Sequence, residues 1–157
     1  MINDSEGKVV CAEAHLCWEH GQYGRIYPPL AVEIAKESGN LYELETLIIE
    51  KAVGESREMR KRYGEGFVLY VYSTLSTFCD GRFAAFLQSM ADRCKLKAGN
   101  VCIRVTGETE LLPADRFSEL ADRARIYGYT VTREERDEYS AQEHSEPAVD
   151  KDEQIGQ

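Results

Sequence analysis

Across residues 9–18 the chain reads Val-Val-Cys-Ala-Glu-Ala-His-Leu-Cys-Trp, and strand alternation sets Cys11, Glu13, His15 and Cys17 on one face. A carboxylate, an imidazole and two thiols are side chains that hold metals, move protons or act as nucleophiles. Val10, Ala12, Ala14, Leu16 and Trp18 form the apolar face behind them. Neighbours on one strand face lie about 6.6 Å apart, so two of the four could share a Zn²⁺ ion. The run from Cys11 to Cys17 spans about 20 Å, too far for one ion to take all four. No other His or Cys pair is placed to complete a four-ligand site, so ordinary interior packing is preferred to zinc. The cysteines at 11, 17, 79, 94 and 102 include no Cys-x-x-Cys pair, which argues against a disulfide framework and a thiolate knuckle. The sequence also lacks a Ser/His/Asp arrangement and a phosphate-cradling glycine loop.

The elements that must hold this face follow from the apolar period. Pro28 and Pro29 open a short helix running to Lys36, with Gly39 as its stop. Leu41, Leu44, Leu47, Ile48 and Ala52 fall at helical spacing in a longer helix that ends before Gly64. Residues 67–73 read as a buried strand, and Phe83, Phe86, Leu87, Met90 and Ala91 mark a helical stripe. Residues 101–105 form the next strand. Pro113 starts a helix with Phe117, Leu120, Ala121 and Ala124 inward, and residues 129–132 form a last short strand. Strands alternating with helices of this length predict an α/β fold of parallel strands joined by right-handed crossovers. Trp18 is expected to anchor sheet against helices, and Tyr70 and Tyr72, on one strand face with Val68, to serve packing. Arg57, Arg60, Lys61 and Arg62 cluster where cations favour the helix dipole, and His20 and His144 are expected to be exposed.

Three blocks carry a resemblance: Gly7-Lys-Val-Val-Cys-Ala-Glu-Ala-His-Leu-Cys-Trp-Glu-His20, Gly24-Arg-Ile-Tyr-Pro28 and Ala35-Lys-Glu-Ser-Gly39. They resemble the opening third of an EAL-type cyclic-di-GMP phosphodiesterase domain. Residues 67–73, 101–106 and 127–132 fall at that family's intervals, so the resemblance covers about residues 5–137. It implies a (β/α) TIM-like barrel of eight strands, the first antiparallel, that hydrolyses cyclic-di-GMP with divalent ions, Mg²⁺ in active members. For this chain it implies a partial barrel of about five of the eight strands, forming a domain at 1–137. The later strands, which in the family supply a lysine, a glutamate near the attacking water and a glutamine, have no counterpart.

The resemblance also assigns the retained positions. Glu13 matches the metal-binding glutamate of the Glu-Ala-Leu signature, with His15 in place of leucine. Cys17 stands where the family places a phosphate-binding arginine. The asparagine ligand of the next strand falls near Tyr72 or Ser73, and the Glu-x-Thr-Glu of the following one reads Arg104-Val-Thr-Gly107. The paired aspartates align with Glu134 and Glu135, or one residue earlier with Arg133 and Glu134. Glu13 and Glu134 are thus vestigial metal positions, expected to hold no ion. Two-metal hydrolysis needs several carboxylates, and Arg104 facing the same site should collapse affinity for Mg²⁺. Every loss of about 1.4 kcal/mol of transition-state stabilisation is tenfold in rate, so hydrolysis is expected to be undetectable, with no cofactor.

Length and composition bound the rest. A chain of 157 residues, 43% hydrophobic and 30% charged, fits one globular domain with a core. No apolar run approaches the roughly 20 residues of a membrane span, and the N-terminus has no signal-peptide pattern, so a cytoplasmic protein is expected. Net charge of −9 argues against nucleic acid as a partner, because phosphate binding needs a basic surface. From 133 to 157, nine acidic and three basic residues contribute −6 of that charge, and 138–157 reads as a disordered acidic tail. Open parallel edges and an unclosed barrel interior demand cover. The leading expectation is a catalytically inactive, degenerate EAL-like protein in bacterial cyclic-di-GMP signalling that acts by protein contact, through self-association or capture of a regulator. The alternatives are a module that binds cyclic-di-GMP without cutting it, a residual phosphodiesterase, and a functionless gene remnant.

Overall fold

The computed structural model describes residues 1–134, so the expected domain boundary at 137 and acidic tail at 138–157 lie outside the described residues. In chain order the elements are β1 (Ile2–Asn3), β2 (Val9–Glu13), β3 (Trp18–His20), β4 (Gly24–Ile26), α1 (Pro28–Glu37), α2 (Leu41–Tyr63), β5 (Val68–Thr74) and α3 (Leu75–Phe78). There follow α4 (Phe83–Cys94), β6 (Val101–Thr106), a 3₁₀ turn (Thr109–Leu111), α5 (Ala114–Ile126) and β7 (Tyr129–Arg133). Five strands form one sheet in the order β1-β2-β5-β6-β7, with β1 antiparallel to β2 and the remaining pairs parallel. This is the expected α/β architecture, a partial barrel.

Local chemistry sets the boundaries. Pro28 and Pro29 occupy the first turn of α1, where their missing N–H groups cost nothing and their fixed φ is already helical. Gly64, at φ 105°, ends α2 by donating its N–H to the Arg60 carbonyl, a conformation that an L side chain strains to adopt. The core lies on one side of the sheet. Ile49 and Val53 of α2, Leu87 and Met90 of α4, and Phe117 and Ala121 of α5 cluster with Leu69 and Val71 of β5, Ile103 and Val105 of β6, and Tyr129 and Val131 of β7. The alternate strand residues point the other way, and Tyr70, Tyr72 and Arg104 among them are only half-buried. Parallel sheets as a rule bury both faces, and the described residues cover this one on a single side.

Four expectations need correction. The strand expected across 9–18 stops at Glu13: its last rung is the Ala14 N–H donating to the Tyr70 carbonyl at 2.9 Å. Trp18 then begins a separate hairpin, pairing with Ile26, while Glu19 pairs with Arg25. Two strands with different partners alternate just as one long strand does, so the pattern hides the break. Trp18 therefore belongs to the β3–β4 hairpin and not to the five-stranded sheet expected to be anchored by it, and it stays 39% exposed beside α1 and α2. His20 is half-buried, its Nδ1 accepting from the Gln22 N–H at 3.2 Å and its ring 4.8 Å from that of Tyr23.

The fourth correction concerns α2. Its buried residues are Glu45, Thr46, Ile49, Val53, Ser56 and Arg60, and Leu47 of the apolar stripe is 49% exposed. Polar residues face inward here because each is satisfied. Thr46 Oγ1 donates to the Tyr42 carbonyl at 2.7 Å, Ser56 Oγ to the Val53 carbonyl at 2.7 Å, and Arg60 to Asn100 Oδ1 at 2.8 Å. Arg60 is thereby withdrawn from the expected basic cluster.

Candidate functional site

Parallel pairing sets Glu13 beside Tyr70 and Tyr70 beside Cys102; two residues further along, Tyr72 lies beside Arg104 and Arg104 beside Thr132. These side chains share the uncovered face, near the C-terminal strand ends where α/β barrels collect functional groups. Arg104 reaches across β5 to β2, donating from an Nη atom to Glu13 Oε1 at 2.7 Å and to the Tyr72 hydroxyl at 3.3 Å. Its guanidinium lies 4.3 Å from the centre of the Tyr70 ring, within cation–π range. The second Glu13 oxygen lies 3.5 Å from His15 Nε2, and the His15 ring stacks on Tyr72 at 5.8 Å.

The electrostatics fit a closed pair. Burial pulls against the Arg104 charge, but Tyr72 and Glu13 outweigh it and hold the guanidinium above its ordinary pKa. Burial pushes the Tyr72 phenol up, against the pull of the Arg104 hydrogen bond, and it stays protonated at neutral pH. With side-chain exposures of 32% for Arg104 and 25% for Glu13, the pair is partly shielded from solvent.

A second carboxylate, Glu45, lies beside the same end of β5. Its Oε2 accepts from the Thr74 N–H at 3.0 Å and from the Thr74 hydroxyl at 3.2 Å. Burial, the largest influence, raises its pKa against these hydrogen bonds. It holds the β5-to-α3 corner and lies on α2, away from the uncovered face.

A divalent ion does not fit at Glu13. Hard cations need several oxygen ligands, whereas Glu13 meets a guanidinium of the ion's own sign. Among the described residues no group of three or more His, Cys, Asp or Glu could hold a metal. Glu134 lies just past β7, exposed, with its N–H donating to the Val105 carbonyl at 2.9 Å, and Glu135 lies outside the described residues. Of the two positions aligned with the family's asparagine, Tyr72 is on the site's face and Ser73 is 1% exposed on the other. Cys17 and His15 lie beyond the end of β2, so the strand does not array them with Cys11 and Glu13. Cys17 is exposed, and His15 returns to the site only through its contacts with Glu13 and Tyr72. Tyr70 and Tyr72, expected as packing, are the partners that fix Arg104. Their spacing of two on a strand parallel to that of Arg104 was the available signal.

No protein-family model and no curated protein matches the sequence. The fold does match solved structures. The EAL enzyme Bd1971 in its cAMP- and cyclic-di-GMP-bound form superposes with TM-score 0.74 at 19% identity, over 84% of this chain and 37% of that one. The PaMucR phosphodiesterase in its cyclic-di-GMP complex gives 0.72 at 20% identity, over 80% and 51%. The FimX EAL domain from Pseudomonas aeruginosa bound to cyclic-di-GMP gives 0.67 at 13% identity, over 81% and 50%. This chain thus spans between about a third and a half of the length of these structures.

Proposed function

From a chain that carries the fold of a partial EAL-type barrel, we propose a non-hydrolytic EAL-like protein of cyclic-di-GMP signalling that acts through protein contact. The observation that carries the reading is the 2.7 Å bond between Arg104 and Glu13. A fixed guanidinium beside the one carboxylate matching the metal-binding glutamate repels a divalent ion, while its contacts with Tyr70 and Tyr72 keep it there. Without ions to position and activate a water, phosphodiester cleavage loses several kcal/mol of transition-state stabilisation. Contact with another protein is supported by the half-buried open face of the sheet, which a parallel sheet ordinarily covers.

The test is incubation of the purified chain with cyclic-di-GMP and millimolar Mg²⁺, with chromatography of the nucleotides. No linear product is expected. Linearisation that needs Mg²⁺ and disappears in Glu13→Gln overturns the proposal. Binding without cleavage is a second reading, supported by Tyr70 and Tyr72, whose half-buried rings flank Arg104 and could stack on bases. Calorimetry showing no heat at high micromolar cyclic-di-GMP removes it.

A further inference from the structure

We infer that the outer surface of α1 and α2 around Leu47 docks a second copy of this chain, with the two α2 helices antiparallel about a two-fold axis at Leu47. The inference rests on the proposed action through protein contact, but it places a self-contact on the helical surface, separate from the open sheet face, and names the partner.

The surface is apolar and shaped for a copy of itself. Leu44, Leu47, Ile48 and Ala52 recur at helical spacing along α2, on a different side from the sheet-facing Ile49 and Val53. Two hollows adjoin the stripe: one of about 290 Å³ between residues 14–17 and α2, the other of about 350 Å³ between Trp18, α1 and α2. Leu44 and Leu47 line both, so they form a ridge with a hollow on either side. With the two-fold axis at Leu47 the two Leu47 side chains meet each other, and the hollow on either side leaves room for the partner's flanking side chains.

The exposed area is of the right size. Trp18 is 39% exposed, Leu30 52%, Ile34 43% and Leu47 49%. If a fully exposed large side chain presents about 200 Å², these four leave roughly 350–400 Å² of apolar surface. A standard interface buries about 800 Å² per partner, a little over half of it apolar, so this patch supplies most of the apolar core one needs.

Charge selects the second copy. Glu43 and Lys51 lie four residues either side of Leu47, each lining one hollow. An antiparallel two-fold pairing centred on Leu47 sets Lys51 of each copy against Glu43 of the other, twice. Glu55 also lines a hollow and falls beyond the start of the partner's α2 at Leu41. Glu43 also lies 3.3 Å from an Arg82 Nη atom, an exposed contact that a second cation can share. Residues 135–157 suit the groove poorly: they carry eight acidic and two basic residues and, as larger apolar side chains, only Tyr139, Val149 and Ile155.

Sedimentation velocity of the full chain over a micromolar range tests this. A dimer is expected, with Leu47→Glu and Ile34→Glu each weakening it by roughly 30-fold or more. Both sites are exposed, so circular dichroism melting should show both variants folded. Lys51→Glu should weaken the dimer and the pair Glu43→Lys with Lys51→Glu should restore it, whereas Thr132→Lys, on the open sheet face, should leave it intact. A monomeric wild type, a dimer that survives Leu47→Glu, failure of the charge swap to restore association, or loss of the dimer in Thr132→Lys would each overturn the inference. A monomer leaves the non-hydrolytic reading standing, because nucleotide chromatography judges that separately.

Discussion

Replacing Arg104 with Met removes the guanidinium but keeps much of its apolar stem, and the cost measures what holds the site closed. Two unit charges about 4 Å apart attract by roughly 4 kcal/mol at an effective dielectric of about 20. Desolvation offsets much of this, and exposures of 32% and 25% leave water to screen the remainder. Hydrogen bonds to charged groups contribute about 1.5–3 kcal/mol and exposed ion pairs under about 1, so this intermediate pair should couple by about 1–2 kcal/mol. Arg104→Met alone should cost about 2–3 kcal/mol, since it also forfeits roughly 1 kcal/mol of cation–π attraction to Tyr70. Glu13→Gln, which keeps an acceptor, should cost about 1–2 kcal/mol. Urea unfolding of both single variants and the double variant closes the cycle. A coupling below about 0.3 kcal/mol, within the range of simple additivity, would refute the claim that these residues form one unit. Metal offers an independent check. If the site bound Mg²⁺ with a dissociation constant of about 0.1 mM, 10 mM Mg²⁺ would stabilise the protein by about 2.7 kcal/mol. No shift in the urea midpoint is expected.

Three further outcomes follow from the buried polar groups. Burial raises the Glu45 pKa, so its contribution to stability is fully present below the unfolded carboxylate value and is lost as pH rises through the folded one; Glu45→Gln should therefore be the more stable protein at pH 7 in thermal melts, with a gap that narrows toward pH 4. A gap that widens on acidification contradicts this. Asn100 accepts from Arg60 at 2.8 Å and donates to the Glu65 carbonyl at 3.1 Å, so Asn100→Ala should cost about 2–4 kcal/mol in urea unfolding by stranding a guanidinium that is almost fully buried. Tyr129 donates its hydroxyl to the Leu87 carbonyl at 3.1 Å, and Tyr129→Phe should cost about 1 kcal/mol; a neutral result would mean that bond contributes nothing net.

The parallel α/β order was legible because each strand and helix carries its own apolar period and the breaks fall at Pro28, Gly64 and Pro113. The site was legible in part for a different reason. Resemblance put Glu13 and Arg104 at positions that share a barrel's inner face, and parallel register delivers that closeness once the order β2-β5-β6 is fixed. The break after Glu13 was not legible, since residues 14–17 carry no glycine or proline and the hairpin beginning at Trp18 resumes the same alternation. Nor were the roles of Tyr70 and Tyr72, because an aromatic ring reads the same whether it packs on leucine or under a guanidinium.

The orientation of α2 shows a more general limit. Amphipathicity reports that a stripe of a helix is suited to burial, but it does not name what buries it. On α2 the sheet accepts a face with Glu45, Thr46, Ser56 and Arg60 because hydrogen bonds supplied by Thr74, Asn100 and the helix's own carbonyls remove most of the cost of burying polar atoms. A hydropathy pattern cannot see those partners, since two of them lie on other elements. The leucine stripe is then left over rather than misplaced. A helix with one polar face satisfied against its own sheet and one apolar face left half-exposed beside α1 keeps apolar surface that the proposed second copy would bury. That asymmetry makes Leu47, more than any residue of the uncovered sheet face, the position at which a charged substitution separates folding from assembly.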